Sequence, residues 1–168
     1  IYAVDATTST NGGISYLEHA AQRHDVGTWV TLSQLHLTLN AGESQDVSFK
    51  LAVPRNASSG QHVGGIVAES VSLQNAVSRT PKGSLKVKLT LKNLYVVPIV
   101  VNVPGRIKEQ LQISGIQFDS ASPFQRVLIK LSNTGNVMIA PKGNATITDG
   151  LGHIMQHTIL NMNTFLPH

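Results

Sequence analysis

A chain of 168 residues with 41% hydrophobic content can bury one large core or two small ones, and this is the composition of a folded protein. Only 13% of residues are charged, which suits strands with one solvated face better than helices rich in Glu, Lys and Arg. The net charge of +4 is spread evenly, with eight Lys or Arg against six Asp or Glu up to Pro104 and five against three after it; without a basic run or interleaved aromatics, nucleic acid is not an expected partner.

Cysteine is absent, so neither disulfides nor a cysteine nucleophile enter the account. No apolar run reaches the ~18 residues of a membrane span. Ile1 opens directly in a strand-like stretch, so a processed or excised piece of a longer chain is expected.

In chain order, Ser15-x-x-Glu18 has the form of a capping box, but Gly12-Gly13 and Gly27 bracket it and a loop is the expectation for Ser15 to Gln22. Trp29, the only tryptophan, follows Gly27-Thr28 and is expected to begin a core strand facing Val47, Phe49, Leu51 and Val53. Leu35, Leu37 and Leu39 alternate with polar residues, as do Val47 to Val53 beyond the turn-like Asn40-Ala41-Gly42-Glu43, which predicts a hairpin. Gly60-x-x-x-Gly64-Gly65 reads as turns or bulges. Leu85 to Leu91 alternates again, Leu94 to Val103 is a long apolar strand, and Val127, Ile129 and Leu131 mark another.

Pro and Gly punctuate these runs at the spacing of a β-sandwich. The expected fold class is all-β, with two tandem immunoglobulin-like β-sandwich modules, each incomplete at the chain ends. Val103-Pro104-Gly105-Arg106 is the boundary, giving modules 1–103 and 104–168. The second supplies about five strands where roughly seven complete such a sandwich, so an open edge is expected there.

Catalytic signatures are missing: no Gly-x-Ser-x-Gly elbow, no phosphate-binding glycine loop and no dinucleotide fingerprint. His153-x-x-x-His157 would chelate on a helix, but it follows the hairpin signal Asp149-Gly150-Leu151-Gly152, and on a strand four residues rise about 13 Å, too far for one ion. His19 and His24 lack a third ligand, and Glu43 and Asp46 straddle a turn where acids are solvated. No enzyme activity, metal or cofactor is expected. Lys86, Lys88 and Lys92 line one strand face, either as a docking stripe for an anionic polymer or as a charged edge that blocks aggregation. Asn56-Ala57-Ser58 and Asn144-Ala145-Thr146 match the glycosylation sequon.

The stretch from Gly27-Thr28-Trp29-Val30 through Leu39-Asn40-Ala41-Gly42-Glu43-Ser44, Val47-Ser48-Phe49 and Val53-Pro54 to Ser59-Gly60-Gln61-His62-Val63-Gly64-Gly65-Ile66, with Tyr2-Ala3-Val4-Asp5-Ala6 before it, resembles the peptidoglycan-binding domain of the WxL-interacting-protein family of Gram-positive surface proteins, over residues 1 to 103. Leu131-Ser132-Asn133-Thr134-Gly135-Asn136 is similar to the sandwich-like module that follows in related proteins. The resemblance implies export, a setting in the cell wall or at the cell surface, a parent chain anchored outside this fragment, and non-catalytic binding to a cell-wall polymer or another surface protein; it transfers no ligand residue. Self-association through open sheet edges, a structural spacer role, and an accessory role in a larger envelope enzyme are the alternatives.

Overall fold

The computed structural model describes residues 1–70, 75–76, 89–90, 92–119 and 126–167. The all-β fold class holds. Strands β1 (Tyr2–Thr8) and β2 (Ile14–Tyr16) precede a one-turn helix α1 (Val26–Trp29), followed by β3 (Val30–Leu32), β4 (Phe49–Leu51), β5 (Gly60–Glu69), β6 (Asn75–Ala76), β7 (Leu89–Thr90) and β8 (Leu94–Val103). Beyond Pro104 come β9 (Leu111–Asp119), β10 (Arg126–Asn133), β11 (Lys142–Thr148) and β12 (Ile154–Asn161).

The framework is an antiparallel sheet in the order β2-β1-β5-β8. Strand β5 is its spine: it pairs with β1 (Ala3 opposite Ile66) and runs the full length of β8, from Gly60 opposite Val103 to Glu69 opposite Leu94. Period two places Ala3, Ile66, Ile99 and Val101 on one face, where they pack with Val26, Trp29 and Val30 into the core. Val4, Val63 and Val67 are buried on the opposite face.

Glycines 64 and 65 lie inside the continuous β5 ladder, not in turns or bulges. Their reason is space. A Cβ on Gly64 would stand 2.6 Å from the Val4 carbonyl oxygen and 2.7 Å from the Val26 Cβ, and one on Gly65 would stand 2.9 Å from the Tyr16 ring. Glycine lets α1 settle on one face of the sheet and Tyr16 on the other.

A hairpin forms around the expected turn, but its first strand is not Leu35 to Leu39: the ladder is Val30–Leu32 against Phe49–Leu51. Leu35 to Leu39 is not a strand; the Asn40–Glu43 turn is held by Glu43, whose carboxylate accepts from the Asn40 backbone and side-chain amides at 2.9 and 3.0 Å. Trp29 ends α1 instead of opening a strand. Its indole packs on His62 of β5 within a core cluster that includes Ala3 of β1; Phe49, Leu51 and Val53 are exposed, because a three-residue ladder does not fold that face onto the main sheet. Ser15 and Tyr16 belong to β2, and the loop reading holds from Leu17 to Gln22. Of the alternation from Leu85 to Leu91, only the pairing of Leu89 and Thr90 with Ala76 and Asn75 falls within the described residues.

After the chain turns at Pro104-Gly105, β9 pairs with β10 and β11 with β12. These hairpins expose much of their apolar surface, Phe118 at 82% and Ile159 at 72%. Polar side chains anchor this half: buried Asn133 donates to the carbonyls of Val137 (2.8 Å) and Phe165 (3.2 Å) and accepts from the Gly135 N–H (3.0 Å).

Gly64→Ala forces its methyl into the Val4 backbone and the Val26 side chain, and is expected to lower stability by about 1 to 3 kcal/mol. A urea titration checks this; a midpoint equal to wild type contradicts the close approach of α1 to β5.

Candidate functional site

A cleft with a largely polar lining lies where α1, β5 and the loop after β4 converge. Its placement begins with Asp5 on β1, a buried carboxylate whose oxygens accept from the backbone N–H groups of His24 (2.6 Å), Asp25 (3.1 Å) and Gly27 (2.6 Å). These bonds pin the start of α1 to the sheet and turn the Asp25 side chain toward β5. There His62, on the core face, meets it: Nδ1 lies 2.8 and 2.9 Å from the two Asp25 oxygens, while Nε2 donates to the Ser58 carbonyl at 2.8 Å. The His62 ring also packs on the Trp29 indole, with centroids 4.8 Å apart at 51°.

The result is a cleft of about 380 Å³ between Trp29, Asp25 and His62 on one side and the Pro54–Ser59 loop, Gln61 and Asn136 on the other. Trp29 is only 6% exposed, so it is a core residue whose edge forms the cleft wall, not an open stacking platform. Both nitrogens of His62 are engaged, as is the Gln61 carbonyl oxygen, which accepts from the Met138 N–H at 2.7 Å. The Asn56 amide and the His24 ring line the cleft without a side-chain hydrogen bond to another described residue. The lining offers hydrogen-bond donors and acceptors, the Asp25 carboxylate and an apolar wall.

Of the lysine stripe, Lys92 is the one member among the described residues. Lys86 and Lys88 fall outside the described residues, and Lys92 does not line this cleft. Its ammonium bonds Glu69 at 2.6 Å, and Glu69 also accepts from the Tyr2 hydroxyl at 3.2 Å. The Lys92 hydrogen bond, helped by that of Tyr2, holds the Glu69 carboxyl below its ordinary value, and Glu69 in turn raises Lys92. Burial, with the Glu69 hydrogen bond second, raises the Tyr2 phenol.

The histidines of the sequence reading are dispersed. His19 packs on the Tyr2 ring at 4.2 Å, and His24 is at the cleft. His153 sits in the turn before β12 and bonds Asp149, lowering that carboxyl; His157, on β12, bonds Thr146. Among the described residues no three His, Cys, Asp or Glu side chains gather around a common point. Glu43 caps its own turn, and Asp46 is solvent-exposed. Asp25, Gln61, His62 and Asn136 were not singled out by the sequence, because Asp25 and His62 stand 37 positions apart and no local pattern joins them.

Residues 1–70 match the family model described as WxL Interacting Protein, peptidoglycan binding domain. The resemblance read from the sequence is thus borne out for the segment holding β1 to β5, including every cleft residue named above except Asn136; the extent drawn to Val103 is somewhat longer than the match. No curated protein and no solved structure matches the chain significantly.

Two outcomes are expected here. Trp29→Ala removes a buried indole and its contact with His62, and should cost about 3 to 5 kcal/mol, read as a lowered urea midpoint; a curve that overlays wild type would sink the core assignment. Glu69 should titrate below 4.5, its ordinary value, in a carboxyl-resolved NMR titration. A depressed native pKa stabilises the fold above the unfolded value, and that contribution is lost as pH falls from about 4.5 through the native value. Lys92→Met should return Glu69 toward 4.5, and an unmoved titration would remove Lys92 as the cause.

Proposed function

We propose that this chain is a non-catalytic binding module of a secreted bacterial surface protein, and that it holds cell-wall peptidoglycan in the Trp29–His62 cleft. The observation that carries the reading is the match of residues 1–70 to a peptidoglycan-binding domain, which supports a cell-wall binding role and a location at the wall or cell surface. The cleft chemistry agrees with it. Peptidoglycan presents acetamido groups, hydroxyls and peptide amides, and the Asn56 amide and Gln61 Nε2, neither bonded to another described residue, complement these while the indole edge covers apolar ring surface. The immunoglobulin-like description and the division into modules 1–103 and 104–168 belong to the same proposal.

A second reading is favoured by the C-terminal hairpins. They are two-stranded, with unpaired edges among the described residues and exposed Ile113, Ile116 and Phe118 on one face. Such edges suit strand addition by another copy or another surface protein, as in a spacer or assembly subunit.

Sedimentation with purified bacterial sacculi tests the first reading. The folded chain should pellet with sacculi at low salt, where weak electrostatic attraction is least screened, and urea-unfolded chain should stay in the supernatant. A folded chain that remains soluble under those conditions overturns it, and concentration-dependent polymers indifferent to sacculi, seen by light scattering, favour the second.

A further inference from the structure

The match to a peptidoglycan-binding domain ends at residue 70, yet the cleft does not close within residues 1–70. Asn136 and Pro167 complete its wall. Asn136 is bound more fully than a surface loop residue requires. Its Nδ2 donates to the Ser59 carbonyl (2.9 Å) and to the Arg106 carbonyl (2.8 Å), its Oδ1 accepts from the Lys108 N–H (2.7 Å), and its backbone carbonyl accepts from the Gln61 N–H (2.7 Å). One asparagine therefore ties together the cleft loop, the first residues of β5, the linker after β8 and the approach to β9.

The partner surface is shaped to receive it. Gly60 has φ +125°, a left-handed conformation that side chains rarely adopt, and a Cβ there would collide with the Asn136 carbonyl oxygen. Two residues on, the Met138 N–H donates to Gln61 Oε1 at 2.7 Å, so the same loop fixes the Gln61 side chain at the cleft. Gln61 is thereby oriented with its Oε1 engaged, and its Nε2 bonds no other described residue.

We infer that the binding site is composite: the loop Asn133–Met138 of the C-terminal half, through Asn136, completes the Trp29–His62 cleft, so that ligand binding and docking of this loop onto β5 are thermodynamically coupled. Asn136 acts as a positioning residue, setting the Ser59 carbonyl and the Gln61 amide. The coupling is reciprocal: what the ligand gains from a docked loop, the docked loop gains from the ligand. The inference rests on the cell-wall reading of the cleft.

The test uses the full chain and soluble muropeptides released from purified sacculi by a muramidase, with Trp29 emission as the reporter, since it is the only tryptophan and lines the cleft. Asn136→Ala should weaken muropeptide binding about tenfold, equivalent to one well-made hydrogen bond lost from the bound state. Asn136→Asp, which keeps the acceptor for Lys108 but cannot donate to the two carbonyls, should weaken it similarly. Far-UV circular dichroism and the urea midpoint verify that each variant remains folded. If neither variant stays folded, the wild-type chain decides: saturating muropeptide should slow hydrogen exchange at the Gln61 and Met138 amides. Wild-type retention on sacculi with unchanged affinity in folded Asn136 variants overturns the composite site while leaving the cell-wall reading intact. Unchanged exchange at both amides does the same. Wild-type chain that binds neither sacculi nor muropeptide removes the cell-wall reading, and the coupling falls with it.

Discussion

On β1, between the buried Val4 and the half-buried Ala6, stands a carboxylate that the hydrophobic effect alone would never put there. Asp5 is 6% exposed and holds three backbone N–H groups of the segment leading into α1. Hydrogen bonds to an ionised acceptor are about twice as strong as neutral ones, and leaving this carboxylate buried without them would cost several kcal/mol. The 24–27 backbone therefore has one favourable place to be. From that constraint follow the seat of α1 on the sheet, the burial of Trp29 at its end, and the aim of Asp25 at His62. A helix of four residues has no stability of its own, and α1 exists because Asp5 and the sheet impose it.

The glycines are the steric counterpart of the same constraint. Gly27 packs against the Val4–Asp5 backbone and Gly64 against Val4 and Val26, each too close for a methyl group. Backbone comes near backbone, so the carboxylate reaches its donors at charge-assisted distances. Beyond Pro104 the construction differs. The hairpins leave large apolar side chains in solvent, and orientation is carried by the amides of Asn133 and Asn136. The C-terminal half meets the rest through these directed hydrogen bonds together with the buried Val137 and Leu166.

How much of this was legible depended on how local each cause is. The apolar strand at Leu94 to Val103, the period-two run at Val127 to Leu131 and the Asn40–Glu43 turn are set by neighbouring residues, and each is found where the sequence placed it. Gly64 and Gly65 were read as turns because glycine is ambiguous in isolation; only the arrival of Val26 and Tyr16, from far along the chain, makes them strand residues. Leu35 to Leu39 carried a strand's alternation without a strand's partner surface. The cleft was invisible for the same reason. Asp25 and His62 are 37 positions apart, and Asn136 and Ser59 are 77 apart; no spacing rule connects them until β5 and Asp5 fix the geometry.

The hydrogen bonds at the junction between the halves have a physical consequence that apolar burial does not. Each neutral hydrogen bond nets about 1 kcal/mol because its groups are also well solvated when apart. The few bonds of Asn136 and Gln61 therefore define the docked geometry sharply without making it irreversible, and their directionality lets Gly60, with its unusual φ, accept only one approach. An apolar interface of equal strength would tolerate sliding, since burial depends on area and hardly on angle. Where a cleft must present an amide such as Gln61 at a defined angle to a polymer of repeating hydroxyl and amide groups, angular definition matters more than adhesive strength. The asparagine-rich loop Asn133–Asn136 supplies the former with little of the latter.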